Sequence, residues 1–129
     1  MAYTNAGLSP DGSSTYFMPR KIGDRRTREL MLTNRLLAAP EALDWGVVNQ
    51  VVENGAALVA AQAMAERMAA APTEAYAQVK RLLDASFSQT LESQMELEAR
   101  AIATQVASVD GQEGMQAFVE KRKPQFGGT

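Results

Sequence analysis

PRKIGDRRTRELMLTNRLLAAPEALDWGVVNQVV, residues Pro19 to Val52, alternates short helical runs with the residues that stop them. Gly23 ends a helix that starts at Ser13 or Ser14 and carries Tyr16, Phe17 and Met18 on its apolar side. Asp24 is placed to cap a second helix, Arg25 to Thr33, with Leu30 and Leu32 facing inward and the arginines facing water. Asn34 tolerates the left-handed conformation that stops such a helix. Leu36 to Ala39 reads as extended up to Pro40, which suits the first turn of a helix running to about Trp45. Gly46 closes it, and Val47, Val48, Val51 and Val52 predict a short strand, because β-branched side chains suit a pleated surface.

Upstream, Met1 to Asp11 reads as the end of a strand running into a loop punctuated by Gly7, Pro10 and Gly12. Asp11 is the one charged residue between Met1 and Met18. A carboxylate desolvated in such a turn would have its pKa raised toward a range useful for moving protons. On the residues alone the favoured reading is that Asp11 caps the following helix or forms an Asx turn. Downstream of Asn54-Gly55 the character changes to alanine-rich helix over Ala56 to Ala71. Thr73 then caps a helix through Asp84, and a long helix spans about Gln89 to Val109. Leu91, Met95, Leu97, Ile102 and Val106 form an apolar stripe on the long helix, which therefore needs a partner. Asp110 and Gly111 break it before a last helix, Gln112 to about Lys121, and the tail KRKPQFGGT frays unless something docks it. Met31, Met64, Met68, Met95 and Met115 fall at helical spacing among other apolar residues and read as core filler.

Composition narrows the chemistry. With 129 residues, 46% of them hydrophobic, the chain suits one domain. Thirteen basic and fifteen acidic residues give a net charge of −2, so the basic footprint of a nucleic-acid binder is missing. No stretch approaches the ~18 to 20 apolar residues of a membrane span, and Met1 to Pro10 lacks signal-peptide character. No membrane or nucleic-acid partner and a cytoplasmic location are expected. With no Cys and no His, thiolate and imidazole chemistry are excluded and no metal site is expected. Proton transfer falls to a carboxylate, a tyrosine or a lysine.

The block from Gly7 to Val52 resembles the crotonase superfamily, the enoyl-CoA hydratases and isomerases that stabilise thioester enolates. The likeness lies in the Pro-Arg at Pro19 and Arg20, Gly23, Glu29-Leu30, Leu32-Thr33 followed by Arg35, Glu41-Ala42, and Gly46-Val47-Val48. Arg20, Arg26, Glu29, Arg35 and Glu41 read as structural ion pairs and Trp45 as core. The resemblance implies that the chain is mainly α, the C-terminal helical portion of a crotonase-like α/β fold with one or two short strands. It implies a core end with the acyl-pocket loop over 1-55 and a helical trimerisation and CoA-contact region over 56-129, one compact unit cut from a longer protein.

By the same resemblance Asp11 is the catalytic carboxylate, with Tyr3 and Gly12 in the substrate pocket. Asp11 in GLSPDG matches the aspartate of isomerases in phenylacetate and fatty-acyl degradation, and of the 4-chlorobenzoyl-CoA dehalogenase. The two-glutamate hydratases carry one glutamate in a Gly-Gly-Gly-Cys-Glu-type segment upstream and the other at the position of Tyr3. With a reference pKa near ~10, Tyr3 is a poor base, so double-bond isomerisation is expected over hydration. Dehalogenation with Asp11 as nucleophile is a further alternative.

At the other end, FVEKRKPQF is similar to the segment that contacts coenzyme A, often across a trimer interface. Phe118 and Lys121 are then the CoA-binding residues; without the resemblance the cluster is a solvated helix end. No separate cofactor is expected, since coenzyme A enters as part of the acyl-CoA thioester. A homo-oligomer is expected, a trimer or hexamer in the family and a dimer for the fragment. The fragment alone is expected to be inactive; another possible role for it is helical oligomerisation and CoA docking.

Overall fold

The computed structural model describes residues 3–129, and among these it contains seven α-helices and a single 3₁₀ turn, with no strand. The expected mainly helical architecture is present. Its internal packing divides it into a unit ending at Gly55 and a unit running from Ala56 to Thr129.

In the first unit the 3₁₀ turn Thr4–Ala6 precedes α1 (Ser14–Ile22), α2 (Asp24–Thr33) and α3 (Ala39–Asp44). Gly23 makes the corner between α1 and α2 with φ of 83°, a conformation that L side chains rarely adopt. The corner lets α1 pack on α2, burying Ile22 and Leu30. Leu32 does not share that face. Residues two apart on a helix point about 200° apart, so the turn that buries Leu30 leaves Leu32 outside, 5% and 72% exposed respectively. Asp24 is also not a cap. Gly23 occupies the capping position, and Asp24 lies inside the first turn, where it pairs with Arg28 at 2.7 Å.

The 3₁₀ turn is tied to the end of α2 by Thr4. Its hydroxyl donates to the Met31 carbonyl at 2.8 Å and accepts from the side-chain Nδ2 of Asn34. Asn34 stops α2 in the left-handed conformation expected of it, with φ of 52°. Arg35 then joins α2 to α3. Its Nη1 and Nη2 donate to the two Glu41 oxygens at 2.8 and 2.7 Å, and its Nε donates to Glu29 at 2.5 Å. Trp45 is half-buried, with the Arg26 and Arg35 guanidinium carbons 4.6 and 5.0 Å from ring centroids.

Two extended expectations change. Met1 and Ala2 lie outside the described residues, and from Thr4 the chain turns in a 3₁₀ helix. Val47 to Val52 has the β-branched composition of a strand but no partner strand among the described residues, and Val47 N–H donates back to the Ala42 carbonyl at 2.8 Å.

The second unit contains α4 (Ala57–Ala69), α5 (Thr73–Ser86), α6 (Leu91–Val106) and α7 (Val109–Glu120), with α6 packing on both α5 and α7. Thr90 caps α6 by accepting from Ser93 N–H at 3.2 Å, and Ser108 caps α7 by accepting from Gly111 N–H at 3.0 Å. The Asp110-Gly111 pair therefore starts the last helix. Gly111 is needed there, since a Cβ would lie 1.8 Å from the Gln105 carbonyl oxygen. Thr73 makes no side-chain cap. The α6 stripe remains exposed at Leu91, Met95, Ile102 and Val106. Met68, Met95 and Met115 are exposed too, and so are not core filler in this chain. Among the described residues no helix is long and apolar enough to cross a membrane.

Leu30→Ala should destabilise the first unit by roughly 2–4 kcal/mol through lost burial and a residual cavity, whereas Leu32→Ala should stay within about 0.5 kcal/mol. Urea unfolding followed by circular dichroism separates them; equal effects would show that Leu30 is not the inward residue.

Candidate functional site

Tyr3 and Asp11, eight residues apart, meet directly: the Tyr3 hydroxyl donates to Asp11 Oδ1 at 2.5 Å. Gly7, with φ of 71°, turns the chain between them, and the left-handed Gly12 and Ser13 lead from Asp11 into α1. Asp11 does not cap α1 with its side chain. Its main-chain carbonyl accepts from Ser14 N–H and the Ser14 hydroxyl at 3.1 and 2.7 Å, leaving the carboxylate for Tyr3. Oδ2 accepts no hydrogen bond among the described residues. The pair is exposed, so the desolvation expected of Asp11 is not met within this chain. The Asp11 carboxylate raises the pKa of the Tyr3 hydroxyl above its ordinary 10.0, mainly through the hydrogen bond and then through charge.

At the other end, Phe118 and Lys121 lie one turn apart at the end of α7. Phe118 is 85% exposed. Lys121 sits just past the helix with φ of 54°, its N–H donating to the Phe118 carbonyl while Arg122 N–H reaches back to Ala117 at 3.0 Å. This is a Schellman stop, whose left-handed position usually holds glycine; a side chain there costs about 1 kcal/mol.

The tail after it is docked rather than frayed. Arg122 forks onto Glu113 at 2.6 and 2.7 Å and donates through Nε to Glu120 at 2.6 Å. Glu113 also accepts from Gln125 N–H at 2.8 Å. These bonds, Arg122 first, lower the Glu113 pKa to about 2. The stabilisation is therefore present above the ordinary carboxylate range and lost as pH falls through about 2. Asp110, only 4% exposed, accepts Gly127 and Gly128 N–H at 2.7 and 2.8 Å, and its own N–H donates to the Thr129 carbonyl at 2.9 Å. Sequence reasoning missed Asp110, Glu113 and Arg122 as a clasp. The visible signal was two acids spaced one turn apart, ahead of an arginine just past the helix and a glycine pair.

The structure thus joins Tyr3 to Asp11 beside Gly12, and places Phe118 near Lys121, on separate units. Among the described residues no group of three or more acidic side chains could hold a metal ion.

The family model for enoyl-CoA hydratase/isomerase matches residues 1–129. The chain belongs to this family, within the crotonase superfamily. It is 35% identical to the 1,2-epoxyphenylacetyl-CoA isomerase of Escherichia coli over 128 residues, covering 99% of this chain and 49% of that protein. It is 37% identical to 4-chlorobenzoyl coenzyme A dehalogenase-1 of an Arthrobacter species over 120 residues, covering 93% and 44%. A solved enoyl-CoA hydratase from Polaromonas sp. JS666 superposes with a TM-score of 0.93 at 33% identity, over 98% of this chain and 49% of that one. The chain spans about half the length of the relatives it matches.

In this family member one tyrosine should ionise above the ordinary 10.0 in alkaline difference spectra, and Asp11→Asn should bring it back toward that value. The bond's contribution to stability is complete below about pH 10 and disappears as pH rises through the raised Tyr3 value. An unchanged titration curve in Asp11→Asn would show that the pair does not form in solution.

Proposed function

We propose that this chain is the C-terminal half of an enzyme that moves a double bond in an acyl-CoA thioester through an enolate, with Asp11 carrying the proton. The observation that carries this reading is the Tyr3–Asp11 hydrogen bond. It holds Oδ1 and leaves Oδ2 open to a substrate carbon. In a 3-enoyl thioester Oδ2 takes the α proton, the electron pair delocalises onto the thioester oxygen, and the same carboxyl returns the proton at the γ carbon. Hydration would need a second group to activate water. At the second glutamate's position stands Tyr3, whose proton is held more tightly than usual by Asp11. Oxyanion donors would come from the other half of the enzyme, so this chain alone is inactive.

Phe118 and Lys121 would serve coenzyme A, lysine neutralising phosphate and phenylalanine meeting the adenine or acyl side. Coenzyme A enters with the substrate, with no separate cofactor, and the enzyme works in the cytoplasm. The likeness to a 4-chlorobenzoyl-CoA dehalogenase favours a second reading, in which Asp11 attacks the ring carbon and chloride leaves. The aryl ester then formed is hydrolysed by water.

In the whole enzyme, Asp11→Asn should lower double-bond migration and α-proton exchange with D₂O by about 10²–10⁴-fold while thioester affinity changes little. Hydration surviving intact with isomerisation absent in the wild type would sink the isomerase reading, and chloride release from 4-chlorobenzoyl-CoA would favour the second.

A self-association role for the fragment is favoured by a groove of about 500 Å³ lined by Val79, Leu82, Met95 and Ile102, together with the exposed α6 stripe. The whole enzyme would use such surfaces in a trimer or hexamer, and the fragment would form a dimer. Sedimentation of the chain at tens of micromolar should show a dimer or larger species; monomer alone would overturn this role.

A further inference from the structure

Lys121 occupies a backbone position that favours glycine, and it is held there by its neighbour. Arg122 closes the Schellman turn with its N–H on Ala117, while its guanidinium spans Glu113 on α7 and Glu120 at the helix end. Glu113 in turn fixes Gln125, so the chain on both sides of Lys121 is pinned. The same contacts have an electrostatic effect. Glu120 immediately precedes Lys121, and Arg122 draws its carboxylate and that of Glu113 into ion pairs. Lys121 makes no ion pair among the described residues. Two carboxylates left without Arg122 would compete for the Lys121 ammonium and repel an incoming phosphate.

We propose that Arg122 is a positioning residue for phosphate recognition by Lys121, fixing the left-handed turn that presents the lysine and withdrawing Glu113 and Glu120 from it. The proposal rests on the reading of Lys121 as a coenzyme A contact. Its ligand is the phosphorylated nucleotide end of coenzyme A, and the pantetheine arm is not involved.

The test is kinetic, in the whole enzyme, comparing a CoA thioester with the matching pantetheine thioester, which lacks the nucleotide and its phosphates. Arg122→Gln should raise KM for the CoA thioester about tenfold, the scale of one charge-assisted contact, with kcat and the pantetheine thioester unchanged. Glu113→Gln weakens the Arg122 fork and the Gln125 contact but also removes one competing carboxylate, so it should lower the same preference by a smaller factor; it decides the matter if Arg122→Gln fails to fold. Lys121→Gly relieves the backbone strain, so it should lose the CoA preference while raising the melting temperature. If Lys121→Gly retains the full preference, the coenzyme A reading fails and takes this role of Arg122 with it. If Lys121→Gly loses the preference but neither clasp variant does, the positioning role alone is overturned. Equal KM increases for both thioesters in the clasp variants would also overturn it, since that is the mark of general structural damage.

Discussion

Thin apolar burial is the constraint under which this chain folds. Among the described residues the buried apolar side chains are Ile22, Leu30, Ala42 and Ala117, and two of the four are alanines. At about 25 cal/mol per Å² of apolar surface, so small a core supplies little stabilisation per ordered residue. Charge-assisted hydrogen bonds do much of the joining instead. Arg35 ties α2 to α3, Arg122 ties the tail to α7, and Asp110 ties the tail's glycines to the start of the same helix. Each device has two or more bonds in a fixed planar arrangement, which gives directional restraint as well as energy. Planar forks can set the angle between short elements even where few side chains interlock.

That division of labour explains what could be read from the sequence. Helix ends were legible because they depend on local chemistry: Gly23, Asn34, Pro40 and Gly46 act on their own backbone. Helix faces were less so. Leu32 and the stripe on α6 have the apolar character of core residues, but they stand exposed among the described residues, so apolar character did not become burial. The valines of 47 to 52 failed as a strand for a related reason, since a strand exists only when a second one supplies its hydrogen bonds. The bond that Tyr3 makes to Asp11 was not legible, because it follows from a loop closure that neither residue encodes alone. The clasp of Asp110, Glu113 and Arg122 was hidden because its acids resemble ordinary first-turn charges and its arginine resembles part of a basic tail.

Backbone conformation adds independent information. Among the described residues the non-glycine positions with positive φ are Ser13, Asn34 and Lys121. Asn34 is explained by its helix stop, for which asparagine is well suited. Ser13 and Lys121 are not suited in that way, and they lie two residues after Asp11 and just past the end of α7. Strain of this kind persists only where surrounding contacts over-determine it. At Ser13 the restraint comes from the bonds of Ser14 to the Asp11 carbonyl, and at Lys121 from the Schellman bonds and the Arg122 fork.

The two candidate segments share a principle of partial pairing. A charged group that is fully paired is stable but unreactive; one fully free is reactive but wanders among rotamers. At Asp11 one oxygen is held by Tyr3 while the other accepts nothing among the described residues, so the carboxylate has a fixed direction and an open lone pair. At the end of α7 the division falls between neighbours: Arg122 takes up the carboxylates, and Lys121 makes no ion pair among the described residues. In both places the restraint is supplied by hydrogen bonds from a neighbouring side chain, Tyr3 in one case and Arg122 in the other. Pre-organisation of this sort reduces the ordering entropy left to be lost when a ligand arrives, and so it favours binding without any added contact.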